Sequence, residues 1–306
     1  MTRILLTGIT GQVGQELQQT LTSLGEVIGV DRNSLDLTQP EQIQAQIRAI
    51  KPDVIVNAAA YTAVDKSESE PELAMAINAT APTQMAIAAQ DIGAKLLHIS
   101  TDYVFNGRNQ TPYLETDATD ALGMYGKSKL QGEIGVIENC ENHLILRTAW
   151  VYGSRGHGNF VKTMLRLGQE RSELQVVADQ VGSPTWSYDI AWTITQLIGK
   201  SLEDDNVRGI YHYTNSGVAS WYDLAVATFE EARELGFSLK IERVIPITTA
   251  EFPTPTERPA YSVLSKEKIT AAIGVYPPHW RDSLRKMLTE LQFSKVTNHL
   301  QAMAID

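Results

Sequence analysis

Three side chains in the middle of the chain have the types and the spacing needed to reduce a carbonyl group. Thr101 stands at the end of an apolar run, and Tyr125 stands four residues before Lys129. Residues i and i+4 share a face of a helix, so Tyr125 and Lys129 are expected to project toward one pocket. An ammonium beside a phenol lowers the phenol's pKa from its usual value of about 10. Thr101 would then hydrogen-bond a carbonyl oxygen while Tyr125 gives that oxygen a proton. A lone Tyr–Lys pair at this spacing also occurs by chance on helix surfaces.

A glycine-rich turn near the start of the chain supplies a second candidate site. Residues 3–7 form an apolar run typical of a strand, Gly8, Gly11 and Gly14 follow at once, and a helical pattern begins behind them. Glycines at such a turn let the backbone approach a pyrophosphate, which then lies at the positive N-terminus of the helix. An ordinary glycine-rich surface turn is the alternative.

The end of the next apolar run bears on the choice of cofactor. Residues 27–30 are followed by Asp31, which is placed to accept hydrogen bonds from an adenosine ribose, as in NAD binding. Arg32 comes directly after it, and an arginine there accommodates the 2′-phosphate of NADP. Both NADPH and NADH therefore stay open as cofactors.

The surrounding segments predict the elements that position these residues. Strands are expected at 3–7, 26–30, 53–57, 95–100 and 143–148, and helices at 12–23, 40–50, 71–92 and 124–139. Such alternation predicts an α/β fold of Rossmann type, a doubly wound parallel sheet with helices on both faces. Ligands bind beyond the carboxyl ends of the strands, where Gly8, Asp31, Ala60 and Thr101 fall.

The second half of the chain is less regular and predicts a smaller, discontinuous α+β lobe that binds substrate. We assign residues 1–152, with roughly 172–199 and 240–250, to the dinucleotide-binding domain. The smaller lobe takes roughly 153–171, 200–239 and 251–295, and residues 295–306 are expected to fray.

Composition excludes several classes of partner. The formal net charge of −10 argues against nucleic acid, which needs a basic face. One cysteine, Cys140, cannot form an intramolecular disulfide. The chain opens into a strand with no leader and has no long apolar span, so we expect a cytoplasmic protein without membrane partners.

Motifs along nearly the whole chain, from Leu5 to about Leu291, carry a family resemblance. They are residues 8–17 (GITGQVGQEL), 56–65 (VNAAAYTAVD), 100–105 (STDYVF), 125–127 (YGK), 147–152 (RTAWVY) and 258–259 (RP). With them the sequence resembles the extended short-chain dehydrogenase/reductase family, and within it the dTDP-4-dehydrorhamnose reductases. The resemblance implies reduction of the 4-keto group of dTDP-4-dehydro-β-L-rhamnose by NADPH or NADH. The product would be dTDP-L-rhamnose, a precursor of cell-surface polysaccharide.

Tyr103 separates this expectation from the similar sugar-nucleotide dehydratases. Those enzymes carry an acidic residue directly after the aspartate, whereas this chain has Tyr103 after Asp102. A phenol is a poor replacement for a carboxyl group in the elimination of water, so simple reduction is favoured.

The resemblance also implies roles for individual residues. Tyr125 would protonate the developing alkoxide, Thr101 would hydrogen-bond the same oxygen, and Lys129 would hold the nicotinamide ribose. Asp102 and Trp150 would join Thr101 in contacting the dTDP-sugar, although Trp150 could instead belong to the core. The expected cofactor-binding residues are Gly8, Gly11, Gln12, Val13, Gly14, Asp31, Asp36, Leu37, Ala60, Tyr61, Thr62, Tyr125 and Lys129.

Other polar residues have both a functional and an ordinary explanation. Asn78 resembles the asparagine that braces the lysine through water in this superfamily, but it could be a plain helix amide. The diphosphate needs local donors, and Asn159, Lys162 and Arg258 are candidates, although each could be an ordinary surface or loop residue. His98, inside a strand, is expected to be structural.

Some members of the family bind Mg²⁺ through glutamates at the interface of a homodimer. Glu16 and Glu290 correspond to two of those ligands, and both could equally be exposed surface glutamates. Tyr188 stands where the third would align. This departure puts the metal in doubt.

Two other functions fit the same scaffold. One is a non-catalytic NADP-binding regulatory subunit of the methionine adenosyltransferase type, which would have no need to keep Thr101, Tyr125 and Lys129 together. The other is a different sugar-nucleotide reductase or an epimerase, which must return its hydride and usually retains its nicotinamide.

Overall fold

The computed structural model describes residues 1–303, with side chains as far as Phe293. The last helix extends to Met303, and residues 304–306, the end of the segment expected to fray, lie outside the described part of the chain. Within that part, no helix has the length and the apolar character that crossing a bilayer requires.

Strands and helices alternate through the first half of the chain. The strands are β1 (Thr2–Thr7), β2 (Gly25–Val30), β3 (Val54–Asn57), β4 (Lys95–Thr101), β5 (His143–Thr148), β6 (Val151–Tyr152), β7 (Glu173–Val177), β8 (Val181–Gly182), β9 (Thr185–Trp186), β10 (Gly209–His212), β11 (Ala219–Ser220) and β12 (Arg243–Ile247). The helices are α1 (Gln12–Thr20), α2 (Pro40–Ile50), α3 (Val64–Ser67), α4 (Pro71–Met75), α5 (Ala81–Ile92), α6 (Met124–Asn139), α7 (Phe160–Glu170), α8 (Ser187–Glu203), α9 (Trp221–Glu234), α10 (Glu267–Ile273) and α11 (Trp280–Met303). Short 3₁₀ turns cover Leu21–Ser23, Asp102–Val104 and Thr249–Glu251, and a π-helical segment covers Ala76–Thr80.

A six-stranded parallel sheet with the order β10-β5-β4-β3-β1-β2 forms the centre of the molecule. Successive side chains of a strand point to opposite faces of a sheet. Ile4 and Leu6 accordingly pack beneath α1 and α8, while Leu5 packs beneath α2 and α5. The predicted Rossmann-type α/β fold is confirmed.

The order of the strands creates a topological switch point in the sheet. β1 pairs with β2 on one side and with β3 on the other, so the chain changes direction between β1 and β3. In open α/β sheets, ligands bind at such a switch point, outside the carboxyl ends of the strands. Gly8 and Ala58 follow β1 and β3 directly at this point.

A second apolar cluster holds the smaller lobe together. Val161 of α7, Leu224 of α9 and Leu284 of α11 are buried in it. β7 pairs with β12 in a two-stranded ribbon beside this cluster, where Leu174 and Val176 pack against Phe229 of α9.

Two of the predicted lobe boundaries differ from this strand pairing. β10 lies in the range assigned to the smaller lobe, yet it pairs with β5 as the edge of the central sheet and buries Tyr211 there. β7 and β12 lie in ranges assigned to the dinucleotide-binding domain, yet their apolar side chains face α9 rather than the central sheet. Short strands do not reveal from sequence which sheet they join.

Candidate active site

The glycine turn after β1 packs closely against its neighbours only because its residues lack side chains. Gly8 has a φ of +73°, and a Cβ there would lie 2.6 Å from the backbone nitrogen of Ala59. A Cβ on Gly14 would lie 2.0 Å from the carbonyl oxygen of Gly8. The backbone N–H of Gly11 donates to that same oxygen at 2.9 Å, which closes the turn before α1. These residues fit a pyrophosphate at the helix N-terminus.

Asp31 and Asp36 follow β2, and each carboxylate accepts hydrogen bonds from the backbone of the loop that follows it. The Asp31 carboxylate accepts hydrogen bonds from the backbone N–H groups of Asn33 and Ser34 at 3.0 and 3.1 Å. The Ser34 hydroxyl and these N–H groups hold the pKa of Asp31 below its usual range, so the group is charged. Asp36 accepts from the backbone N–H of Thr38 at 2.9 Å, which likewise lowers its pKa.

The other residues expected to contact the cofactor differ in exposure. Val13, Leu37, Ala60 and Tyr61 are half-buried, and Thr62 is exposed. Gln12 lies at the start of α1, where its Oε1 accepts a hydrogen bond from Asn159 at 2.7 Å.

Thr101 and Asp102 lie at the carboxyl end of β4. The Thr101 hydroxyl donates to Oδ1 of Asp102 at 3.0 Å. Asp102 is 2% exposed, and burial raises the pKa of its carboxyl to about 6, although hydrogen bonds from Ser262 and Thr101 oppose the rise. Among the described residues, Oδ2 of Asp102 and the hydroxyls of Ser100 and Thr148 are buried without a hydrogen-bond partner. Buried polar atoms without a partner call for an explanation, and a bound ligand at these neighbouring strand ends is one.

Tyr125 faces this strand end from the first turn of α6. Burial raises the pKa of its phenol above the usual value, and the negative charge of Asp102 adds to the rise. A hydrogen bond with Thr101 acts in the opposite direction. The ring of Tyr103 meets the ring of Tyr125 edge-on, with 5.4 Å between the centroids. The structure thus brings Thr101, Asp102 and Tyr125 together, as the sequence predicts.

Lys129 lies one turn further along α6 and is 1% exposed. Its Nζ donates to the carbonyl oxygen of Ile99 at 2.6 Å and lies 3.2 Å from Nε2 of His98. Burial lowers the pKa of Lys129 to about 8, and the carboxylate of Glu133 opposes that shift. The expected lowering of the pKa of Tyr125 by Lys129 is not found, because the amine is directed at Ile99 and His98.

Tyr103 is held by a contact that the sequence did not indicate. Arg258 donates to the Tyr103 hydroxyl at 3.2 Å and to Oδ2 of Asp65 at 2.9 Å. Arg258 therefore ties the end of β4 to α3, and its role toward a diphosphate stays a prediction.

Asn78 positions the loop after β3 relative to α6. Its Oδ1 accepts from the backbone N–H of Tyr61 at 2.8 Å, and its Nδ2 donates to the carbonyl of Tyr61 and to the hydroxyl of Ser128, each at 3.0 Å. The residue lies in the π-helical segment and is buried. Such segments occur frequently at functional sites.

Trp150 lies just beyond β5 in a strained backbone conformation. Its φ of +51° is in the left-handed region, which is rare for a bulky side chain. The indole stacks on Trp221 with 3.6 Å between centroids and 3° between planes. A Cβ on Gly182 would lie 2.6 Å from the Trp150 ring, so only glycine allows this placement. Strain of this kind persists at ligand sites where the surroundings enforce it.

The side chains of Asn159 and Lys162 form hydrogen bonds with the backbone of the same region. Asn159 caps α7 by accepting from the backbone N–H of Lys162 at 3.0 Å. The Lys162 amine donates to the carbonyl oxygens of Arg155 and Gly156 at 3.3 and 3.2 Å. The loop that carries them lies against the glycine turn, since a Cβ on Gly156 would come within 2.9 Å of the Gln12 nitrogen.

Glu16 and Glu290, the two candidate Mg²⁺ ligands, lie near one another, and the guanidinium of Arg155 lies beside Glu16. Glu16 is buried, is paired with Arg155 at 3.5 Å, and has its pKa raised first by burial and further by the charge of Glu290. Ser154 donates to Glu290 at 2.7 Å. In the part of the chain that the structure describes, no three acidic, histidine or cysteine side chains group around a metal position. Two carboxylates beside a guanidinium are a poor donor set for Mg²⁺.

Sequence reasoning missed His98, Asn57 and Trp221 as parts of this site. Asn57 donates to Nδ1 of His98, which faces Lys129. The polar residues at the ends of β3 and β4 were a signal, since Asn57 interrupts an otherwise apolar strand. Nothing near Trp221 in the sequence points to Trp150.

Comparisons with known proteins identify the relatives of this chain. The family model described as RmlD substrate binding domain matches residues 1–293. The dTDP-4-dehydrorhamnose reductase of Escherichia coli (strain K12) is 47% identical over 292 residues, which cover 94% of this chain and 97% of that protein.

Solved structures extend the comparison to three dimensions. A dTDP-4-dehydrorhamnose reductase from Bacillus anthracis in complex with NADP is 39% identical, covers 94% of this chain and 99% of its own, and superimposes with a TM-score of 0.88. A UDP-glucose 4-epimerase from Thermus thermophilus in complex with NAD is 21% identical, covers 95% and 98%, and has a TM-score of 0.77, a likeness of fold alone. The match of the family model to residues 1–293 and the identity to its reductase members show that this chain belongs to the dTDP-4-dehydrorhamnose reductase family.

Proposed function

We propose that this chain is an oxidoreductase that reduces the 4-keto group of dTDP-4-dehydro-β-L-rhamnose with NADPH, giving dTDP-L-rhamnose for polysaccharide synthesis. The observation that carries the proposal is the meeting of Thr101, Asp102 and Tyr125 beside unsatisfied buried oxygens at the end of β4. Tyr103, where dehydratases have an acid, makes reduction rather than elimination the reaction of this site.

The chain's own residues then manage the proton and the oxygen. NADPH, when bound, supplies a hydride to C4 of the sugar. The Tyr125 hydroxyl donates its proton to the oxygen at C4, and the raised pKa keeps that phenol protonated at neutral pH. The Thr101 hydroxyl, freed from Asp102, hydrogen-bonds the same oxygen. A positioned acid of this kind is worth about 10²–10⁴ in rate.

Substrate contacts follow from the unsatisfied and exposed groups. Oδ2 of Asp102 has no partner among the described residues and is available to a sugar hydroxyl. The indole of Trp150, backed by Trp221, is suited to packing against the deoxysugar nucleotide.

NADPH is the proposed reductant, with NADH as a weaker substitute. The relative from Bacillus anthracis contains NADP, and Arg32 beside Asp31 supports the same preference. We assign no step to Mg²⁺, since Arg155 supplies the positive charge beside Glu16. A homodimer and a cytoplasmic location are part of the same proposal.

The deciding experiment follows NADPH oxidation by the purified chain when dTDP-4-dehydro-β-L-rhamnose is added, with the product identified by NMR. Tyr125→Phe is expected to lower kcat at least about 10²-fold while NADPH affinity is retained, because the ring survives and the acid does not. Tyr276→Phe, at an exposed tyrosine, is the control and should match the parent. Turnover by Tyr125→Phe close to the parent would contradict the role of Tyr125. Epimerisation of a nucleotide sugar without net NADPH consumption would favour the epimerase alternative.

A further inference from the structure

A buried chain of hydrogen bonds leads from β1 to Lys129. Oδ1 of Asn57 accepts from the Thr7 hydroxyl at 2.7 Å and from the backbone N–H of Ala59 at 3.3 Å. Nδ2 of Asn57 lies 3.0 Å from Nδ1 of His98, and Nε2 of His98 lies 3.2 Å from Nζ of Lys129. Thr7, Asn57, His98 and Lys129 are each no more than 2% exposed, so water does not offer these groups alternative partners.

The direction of each hydrogen bond in this series follows from the contact between Ala59 and Asn57. The backbone N–H of Ala59 can only donate, so the atom of Asn57 facing it is the carbonyl oxygen and the atom facing His98 is the amide nitrogen. That nitrogen is a donor, which makes Nδ1 of His98 the acceptor. A neutral imidazole with an accepting Nδ1 carries its proton on Nε2. His98 is neutral, because burial holds its pKa well below the usual range.

Nε2–H of His98 therefore points at Lys129, and this contact is satisfied only by a lone pair. A neutral amine accepts from His98 with its lone pair and still donates to the carbonyl oxygen of Ile99. An ammonium has three donors and no acceptor, so it would face a second donor across 3.2 Å. In the other tautomer of His98, Nδ1–H would face the Nδ2 donor of Asn57. If the Asn57 amide were turned to avoid this, its NH₂ group would face the backbone N–H of Ala59.

We propose that His98, held by Asn57 as the Nε2–H tautomer, is a positioning residue that keeps the neutral amine of Lys129 populated near neutral pH. The lysine next to the proton donor Tyr125 then both takes up and releases a proton under working conditions. This consequence for catalysis rests on the proposed function, whereas the protonation state of Lys129 does not.

The other charged groups around Lys129 do not supply the same effect. Glu133, one turn further on α6, favours the ammonium, but it is engaged by Arg147 of β5 through Nε at 2.9 Å and Nη2 at 2.6 Å. Tyr125 lies one turn earlier on α6, and Asp102 acts on Tyr125 from the end of β4. Burial lowers the pKa of Lys129 to about 8 against the opposing charge of Glu133, and the conflict with His98 lowers it further.

The test is an NMR titration of the chain without substrate. The ¹³Cε shift of labelled Lys129, assigned with Lys129→Met, is expected to titrate below pH 8 in the parent. In His98→Gln the side-chain amide can turn its oxygen to the ammonium, and the midpoint is expected to rise by about one pH unit. In His98→Phe the opposing donor is removed but no acceptor replaces it, so the midpoint is expected to rise less than in His98→Gln. His143→Gln, at a half-buried histidine at the start of β5, is the matched control and should leave Lys129 unchanged.

A second measurement decides the matter even where His98→Gln does not fold. Histidine ¹⁵N shifts of the parent are expected to show the proton of His98 on Nε2. A proton on Nδ1, a Lys129 midpoint near the value of about 10.4 typical of exposed lysine, or equal midpoints in the parent and His98→Gln would each overturn the proposal. In the reductase assay, the loss of kcat/KM at high pH should move upward in His98→Gln by the same shift as the NMR midpoint.

Discussion

Asp31 favours the binding of NADH, whereas Arg32 favours the binding of NADPH. The Asp31 carboxylate is charged, since hydrogen bonds within its turn lower its pKa, and it disfavours a nearby 2′-phosphate. Arg32 beside it is exposed and suited to pairing with that phosphate. Arg32→Ser is expected to lower kcat/KM for NADPH about tenfold, because a charge-assisted contact is worth roughly 1.4 kcal/mol. The value for NADH should change little, which initial-rate measurements with both cofactors would check.

A matched control for Arg32→Ser is Arg48→Ser, which removes an exposed arginine of α2 that pairs with Asp91. It should leave both cofactors unaffected. An equal loss with NADPH and NADH in Arg32→Ser would argue for a general defect rather than a contact with the 2′-phosphate.

At the scale of residues, spacing predicted which groups do chemistry but not how their neighbours orient them. Thr101, Tyr125 and Lys129 could be found because i and i+4 on a helix and the end of a strand are local features. The contact of His98 with Lys129 joins β4 to α6, and the orientation of Asn57 depends on the backbone of Ala59. No local pattern encodes either.

At the scale of elements, the close approach of α6 to its neighbours places Tyr125 and Lys129. A Cβ on Gly132 would lie 2.1 Å from the carbonyl oxygen of Asn78, so the helix touches the π-helical segment there. Gly132→Ala is expected to push α6 away, lowering the free energy of unfolding by about 1–3 kcal/mol and reducing kcat. Denaturant titration and the reductase assay would measure both. Gly199→Ala in α8, where the nearest atom is a Leu24 methyl at 3.6 Å, should instead leave stability equal or higher. Unchanged stability and kcat in Gly132→Ala would contradict this account of α6.

The π-helical segment also explains where sequence reasoning about elements fell short. Residues 71–92 were expected to form one helix, and the structure divides them into α4, Ala76–Thr80 and α5. Pro82 has no N–H to donate to the carbonyl of Asn78, so the regular hydrogen-bond ladder breaks at this residue. Helical periodicity alone predicts one continuous helix here, because a single π-helical turn barely alters the spacing of the apolar residues.

At the scale of the whole molecule, the substrate site depends on contacts between parts of the chain far apart in sequence. Arg258 reaches Asp65 and Tyr103, and Asn159 reaches Gln12. Alternating strands and helices predicted the central sheet, since each unit is local. The smaller lobe was harder, because its strands are short and its core draws on helices that begin at residues 160, 221 and 280.

The stack of Trp150 on Trp221 joins the end of β5 to α9 of the smaller lobe. Loss of this stack should weaken the binding of the sugar nucleotide but not the binding of NADPH. Trp221→Ala removes the surface that holds Trp150 in its strained backbone. An aromatic pair contributes roughly 0.5–1.5 kcal/mol, so KM for the ketosugar should rise about three- to tenfold, with NADPH affinity unchanged. The circular dichroism of the coupled indoles should vanish in the same variant. Trp280→Phe, in the core of the same lobe, is the matched control and should lower stability while keeping both the stack signal and KM. A parental KM in Trp221→Ala with the stack signal lost would show that Trp150 does not need this support to meet the substrate.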